Sequence, residues 1–280
     1  MSKSQSILLK IWFYLYRILI FFPILFRVTW YGILHPHVLF NFAFGIVTEI
    51  AEFHKRCVGW LKNFNTTPQY QEIRRAFLFS RSNCLNIGFG NIRPMEAQVL
   101  GTLVEHFQPK SIFEIGTYNG FSALHLAKNS PPQAMIYTLD LPYDRTDLHF
   151  KHDPRDAHHD IKNINMGSAR CFHSDPARSK IKELFGDSTT FDYSPYFRKM
   201  DFIFIDANHS YSFVKSDTEN AFRMLAPGGV ILWHDYDFIH PGVFKYLNEI
   251  AREKNVYYIE RTRYALYIDP SGTSSKKSSQ

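Results

Sequence analysis

Cysteine is nearly missing from this 280-residue chain, which holds only Cys57, Cys84 and Cys171. An odd number, at spacings that match no metal or redox pattern, excludes a disulfide scaffold and a cysteine-built zinc site. It fits reduced, buried thiols in a cytosolic compartment. Two glycine patterns are also absent. There is no G-x-G-x-x-G and no phosphate loop ending in Lys-Ser/Thr, so the usual fingerprints for dinucleotides and nucleoside triphosphates are lacking. No internal repeat is present. Acids are scarce at the start: residues 1–81 hold ten Lys/Arg against Glu49, Glu52 and Glu72, a net of +7. The other 199 residues carry 22 basic and 23 acidic groups, a net of −1. The overall +6 therefore belongs to an apolar N-terminal region, and no nucleic-acid partner is expected from it.

Long unbroken apolar runs are missing as well. Residues 7–34, ILLKIWFYLYRILIFFPILFRVTWYGIL, are interrupted by Lys10, Arg17 and Arg27, with nine uncharged residues between the arginines. A spanning helix needs about 20 apolar residues in a row. Lys10, Tyr14 and Arg17 share one helical face, aromatics fill much of the rest, and Pro23 would kink the helix. Residues 1–34 are expected to form a membrane-associating segment that lies at the interface. A tilted span with snorkelling arginines, or a helix packed on the protein or a second copy, are the alternatives. No small-x-small site follows the run, so a cleaved signal peptide is not expected. The expectation is a membrane-associated protein with its catalytic domain on the cytoplasmic side. Nothing here indicates an oligomeric state.

The rest of the chain alternates. Residues 35–89 are expected to be a helical connector, with Ile46, Ile50, Phe53 and Cys57 on one face, although 66–92 carry no clear pattern. Pro94 opens a helix, MEAQVLGTLVEHF. Then SIFEIG, MIYTLD, DFIFID and GGVILWHD read as strands, with FSALHLAKN, SDTENAFRML and GVFKYLNEIAREK as helices between them, and YYIE with YALYID as a closing antiparallel pair. This alternation predicts an α/β, Rossmann-like, doubly wound and mostly parallel sheet over residues 90–268. Residues 142–180, dense in Asp, His, Arg and Pro, are expected to be a lid or insert, and 269–280 a disordered tail.

Two constellations carry chemistry. The first is FEIGTYNGFSALHLA, residues 113–127, a strand, a glycine-bearing turn and a helix. In parallel α/β sheets ligands bind beyond the carboxyl ends of the strands. Gly116 and Gly120 allow a sharp bend and a close approach. Asp140 ends the next strand, twenty residues after Gly120, where an acid can accept both hydroxyls of a ribose. A ligand with a ribose and no phosphates fits this pair of features. The segment resembles the cofactor-binding core of class I S-adenosylmethionine-dependent methyltransferases. More narrowly, FGDSTTFDYSP (185–195), IDANHSY (205–211) and APGGVILWHDY (226–236) resemble the group with strand-Asp-x-x-His-Ser-Tyr and Pro-Gly-Gly-strand-His-Asp motifs. The resemblance covers roughly 90–268 and implies a seven-stranded sheet with an antiparallel last strand. It implies S-adenosylmethionine contacts from Glu114, Gly116 and Gly120, ribose contacts from Asp140, and contacts near the adenine from Asp187 and Ser188. Thr117, Tyr118, Leu141 and Asp206 complete the cofactor-binding candidates.

The second constellation is Asp206, His209, His234 and Asp235. DFIFID and GGVILWHD both run out of a core and end in acids. If they are neighbours in a parallel sheet, Asp206, His234 and Asp235 meet beside the cofactor pocket. One role is a divalent metal, magnesium or manganese, held by Asp206, Asp235 and His234, lowering the pKa of a substrate hydroxyl. Related O-methyltransferases use an acid followed by two adjacent polar residues, although the His-Asp pair here departs from their usual Asp-Asn or Glu-Asp. In the second role His209 or His234 takes the hydroxyl proton directly, oriented by a carboxylate such as Asp206. A purely structural role is the third. The expectation is a methyltransferase acting on the hydroxyl of a small-molecule or lipid-linked substrate. An NAD-dependent or hydroxylase-type enzyme on a similar sheet, and a non-catalytic cofactor-binding scaffold, are the alternatives.

Overall fold

The computed structural model describes residues 61–79, 92–142, 170–237 and 239–273, all within one unit, Gly59–Gln280. The expected membrane segment 1–34, most of the connector 35–89, residues 143–169 of the expected lid, Cys57 and Cys84 lie outside the described residues. Among the described residues no helix is long and apolar enough to cross a membrane.

The elements, in chain order, are β1 (Lys62–Asn63), α1 (Pro68–Phe79), α2 (Pro94–Phe107), β2 (Ser111–Ile115), α3 (Phe121–Asn129) and β3 (Met135–Asp140). They continue with β4 (Ile181–Phe185), β5 (Met200–Ile205), α4 (Tyr211–Met224), β6 (Leu225–Trp233), α5 (Pro241–Ile250), β7 (Val256–Tyr258) and β8 (Ala265–Ile268). The strands form one sheet in the order β1-β7-β8-β6-β5-β2-β3-β4. Every pairing is parallel except those of β8, which runs antiparallel to both β6 and β7. The chain switches direction across the sheet between β2 and β5, where doubly wound folds place their ligands.

Alternate residues of the central strands feed two cores, because side chains of a strand point to opposite faces. Ile112, Ile136, Phe202, Phe204, Val230 and Leu232 pack with α2 and α3. Phe113, Ile115, Ile203, Ile205, Ile231 and Trp233 pack with α4 and α5. Burial on both faces is why these strands read as unbroken apolar runs rather than alternating ones.

Four differences from the sequence reading have physical causes. The sheet has eight strands rather than seven: Lys62 and Asn63, expected in a helical connector, pair with Tyr257 and Tyr258 at the edge. Asn63 then caps a short 3-10 turn, Phe64–Thr66, by accepting the Asn65 N–H at 2.9 Å, so the extended backbone at 62–63 gives way to helical structure only after it. The described end of the expected lid, 170–180, is anchored, with Phe172 fully buried in the core and Arg170 buried beside it. Cys171, expected to be buried, is the exposed residue between them. Residues 270–273, expected in the disordered tail, form a 3-10 turn against the sheet, fixed by the Gly228 N–H donating to Asp269 Oδ2 at 2.9 Å.

Candidate active site

The strand ends are stitched together by backbone hydrogen bonds one residue beyond each strand. Gly186 N–H donates to Asp140 O, Gly116 N–H to Leu139 O, Asp206 N–H to Ile115 O, and His234 N–H to Ile205 O, all at 2.9–3.0 Å. The tips of β4, β3, β2, β5 and β6 therefore form one continuous rim. Glu114, Asp140, Asp206, His234 and Asp235 lie on or next to it, as the sequence predicts.

Gly116 shows how tightly that rim is built. Its φ is 100°, and a Cβ placed there would lie 2.1 Å from the Asp206 carbonyl oxygen. Backbone cannot rotate away as a side chain can, and positive φ adds strain for any other residue. Gly116→Ala is expected to cost on the order of 4 kcal/mol or more, among the largest single-residue effects. Thermal melting checks this, and a melting temperature close to that of the unaltered protein would contradict it. At Gly120, φ 78°, the Phe172 ring lies where a Cβ would go, so the anchored segment closes over the glycine turn.

Asp140 organises the turn. Its Oδ2 accepts the Tyr118 N–H at 2.8 Å and its Oδ1 accepts the Leu141 N–H at 2.8 Å. Arg170 donates to the Tyr118 carbonyl at 2.8 Å, lies 3.5 Å from Asp140 Oδ2, and pairs with Glu183 at 3.2 Å. Burial pushes the Asp140 carboxyl up, against the pull of Arg170 and the two N–H groups. Glu114 is fully buried behind the same turn. Its Oε2 accepts from the Thr138 hydroxyl at 2.5 Å, and that hydroxyl lies 2.6 Å from Thr117 Oγ1. Burial pushes Glu114 up to about 8, with hydrogen bonds from Ser122 and Thr138 opposing, so the acid is largely neutral at pH 7. Its hydrogen bonds reach the turn through Thr138 and Thr117. Asp187 and Ser188 follow β4 on the same rim. Asp187 Oδ1 accepts from Thr189 N–H and Oγ at 2.8 and 2.7 Å, and the Ser188 carbonyl accepts from Tyr193 at 3.0 Å.

The second constellation is denser than the sequence suggests. His234 is almost fully buried, with Nδ1 3.0 Å from Asp206 Oδ1 and Nε2 3.1 Å from Glu96 Oε2. Glu96, on α2, also accepts the Arg93 N–H at 2.8 Å. Arg263, just before β8, donates to Glu96 Oε1 at 3.1 Å and to Asp235 Oδ1. Asp235 Oδ2 faces His209 Nε2 at 2.8 Å. The His209 ring lies 4.4 Å from that of His240, whose Nδ1 meets Asp237 at 2.9 Å. Asp206, Asn208, His209 and His234 line a small hollow backed by Trp233 and Val243.

Charge follows from these contacts. Burial alone would lower the His234 pKa, but Asp206, Asp235 and Glu96 outweigh it and hold the ring well above its ordinary value. Burial would raise Asp235 and Glu96, yet His234 and its neighbours hold both carboxyls down. His209 is also raised: burial lowers it, and Asp235 more than compensates.

The donor set decides whether a metal fits. Ligand atoms of Asp206, His234 and Asp235 lie within 4.8 Å of one another, as do those of His209, Asp235 and His240. A metal binds a ring nitrogen through its lone pair, on a neutral imidazole. Both His234 nitrogens face carboxylate oxygens, which only accept, so each carries a proton and neither has a lone pair to give. Asp235 Oδ1 is taken by Arg263. In the second group His240 Nδ1 meets Asp237, which also accepts the Ile239 and His240 N–H groups. Asp206, His234 and Asp235 do not fit magnesium or manganese.

Sequence reasoning missed Glu96, Arg170 and Arg263. Glu96 left one signal: it falls with Leu100 and Leu103 on the buried stripe of an otherwise apolar helix face. An acid there needs a buried partner. The two arginines left none.

The pattern of the methyltransferase domain family matches residues 113–236. None of the curated proteins matches the chain. Among solved structures the chain is similar to the SAH-bound Podospora anserina methyltransferase PaMTH1, at 16% identity over 70% of this chain and 86% of that one, TM-score 0.45. It is similar to the O-methyltransferase TomG from Streptomyces achromogenes in complex with SAM, at 14% identity over 72% and 90%, TM-score 0.44. It is also similar to an O-methyltransferase from Bacillus cereus in complex with SAH, at 18% identity over 73% and 91%, TM-score 0.41. The matched span holds the glycine turn, the strand-end acids and the His-Asp pair on one rim of a doubly wound sheet, and over residues 113–236 the chain is similar to the methyltransferase domain family.

Proposed function

We propose that the protein transfers the methyl group of S-adenosylmethionine to a hydroxyl oxygen of a small or lipid-linked molecule, with His209 as the base. One observation carries this reading. His209 keeps about a third of its side chain exposed, at 36%, while its Nε2 is held 2.8 Å from Asp235. His234, the other candidate, is 4% exposed with both nitrogens committed, so it has no site for an incoming proton.

The chemistry asks little more of the chain. The cofactor supplies a methyl already activated on a sulfonium. As the hydroxyl oxygen bonds to the methyl carbon, the carbon–sulfur bond breaks and its electrons leave with a neutral thioether. The hydroxyl proton passes to His209, and Asp235 stabilises the resulting imidazolium. Asp206 adds a carboxylate at the tip of β5, where it favours a cationic ligand.

The acceptor class rests on apolar surface. Met95, 48% exposed, adjoins Glu96, and Ile239, 50% exposed, adjoins His240, so two large apolar side chains sit on segments that supply the site. The apolar and basic residues 7–34, outside the described residues, support an acceptor presented at a membrane surface. The small, odd number of cysteines supports a reading with the domain on the cytoplasmic side. Incubation of the full chain with methyl-labelled S-adenosylmethionine and a membrane extract is expected to give base-stable label in the lipid or small-molecule fraction. Label released by mild base would mark a carboxyl acceptor instead, and label on protein alone would overturn the proposal.

A further inference from the structure

The carboxylates at the ends of β5 and β6 suit a divalent cation by composition, yet cations of the chain itself already stand among them. Three acids, Glu96, Asp206 and Asp235, surround His234 and Arg263. Glu96 meets both cations, with Oε2 at 3.1 Å from His234 Nε2 and Oε1 at 3.1 Å from Arg263 Nε, and it is 1% exposed. The Arg263 backbone N–H adds a further bond to Glu96 Oε1 at 3.0 Å. Guanidinium is weakly hydrated and forks across two carboxylates, here Glu96 and Asp235, as a bridging ion would.

We propose that Arg263 and His234 act as the fixed cations of this rim in place of a divalent metal, so that methyl transfer needs no metal. The inference rests on the O-methyl transfer reading above for the reaction, although its ion-binding test stands without it. Arg263 is then a positioning residue. It holds Asp235 in line with His209 and keeps Glu96 against His234, and it touches neither cofactor nor acceptor. A cation covalently tied to the chain does not dissociate, so the geometry around His209 would not depend on the ion supply.

The test uses the full chain after treatment with a chelator, titrated with Mn2+ by calorimetry in the absence of any acceptor. No saturable binding below about 1 mM is expected. Methyl transfer, once an acceptor is in hand, should change by less than about twofold between chelator and added Mn2+ or Mg2+. Stoichiometric Mn2+ binding at micromolar concentration, or activity lost on chelation and restored by the ion, would overturn the proposal. Arg263→Gln supplies the converse. It releases Asp235 Oδ1 and removes the guanidinium from Glu96, which keeps the backbone N–H bond to its Oε1, and a folded variant, verified by S-adenosylmethionine binding, should bind Mn2+ at least about tenfold more tightly than the unaltered chain. A folded variant with no such gain would show that the guanidinium does not occupy an ion's place. Absence of methyl transfer from every acceptor would sink the reaction reading while leaving the Mn2+ titrations interpretable.

Discussion

Replacing His209 with alanine is expected to lower kcat by roughly 10²- to 10⁴-fold, the usual contribution of a positioned general base. Affinity for S-adenosylmethionine should change little, because His209 is held by Asp235 and not by the glycine turn. The pH dependence separates a base from a structural histidine. His209 faces Asp235, Asp206, His234 and His240, and the balance of these groups raises its pKa above 6.5. A base works when deprotonated, so activity should fall as pH drops through that raised value, and the acidic limb should vanish in His209→Ala. His234 is raised as well, by Asp206, Asp235 and Glu96, so the loss of the limb in His209→Ala is what assigns it to His209. Stability runs the opposite way. A histidine whose folded pKa is raised contributes stability that is complete below the unfolded value and lost as pH rises through the folded one. The fold should therefore be firmer where the enzyme is slower. A variant that keeps a third or more of the rate, with its acidic limb intact, would remove His209 from the chemistry.

Asp140→Ala is expected to weaken S-adenosylmethionine binding by roughly a hundredfold, about 3 kcal/mol, measured by calorimetry. Hydrogen bonds to a charged group contribute about 1.5–3 kcal/mol each, and a ribose would present two hydroxyls. The loss also reaches the turn, because the Tyr118 and Leu141 N–H groups lose their acceptor and Arg170 loses a partner. Asp140→Asn retains one acceptor oxygen and should fall between, at roughly tenfold. Melting curves show whether the turn survives. Undiminished affinity in the alanine variant would take Asp140 out of the cofactor site.

The parts of this site legible in the sequence are those encoded locally. Ile203–Ile205 and Val230–Trp233 announce strands by their apolar runs, and the acids that follow announce where those strands leave the core. Gly116 and Gly120 mark a turn that other residues enter only with strain, and both have positive φ in the structure. Parallel pairing then brings the ends of such strands to one edge, so Asp206 and His234 could be expected to meet, and they do at 3.0 Å. Composition alone allows a metal reading of Asp206, His234 and Asp235. The contacts that argue against it are ones that composition does not contain. Glu96 reaches His234 across 138 residues of chain and Arg263 across 167.

Order along the chain thus settled the fold class, the position of the rim and the residue types on it, because periodicity, glycine turns and strand ends are properties of neighbouring residues. Tertiary structure alone decided what those residues are to one another. It made His234 a buried cation, Asp235 the partner of both Arg263 and His209, and Arg170 the brace beneath Asp140. The reason is electrostatic: a carboxylate or imidazole takes its protonation and its capacity for metal from charges within a few ångströms, and folding, not sequence adjacency, brings those charges together.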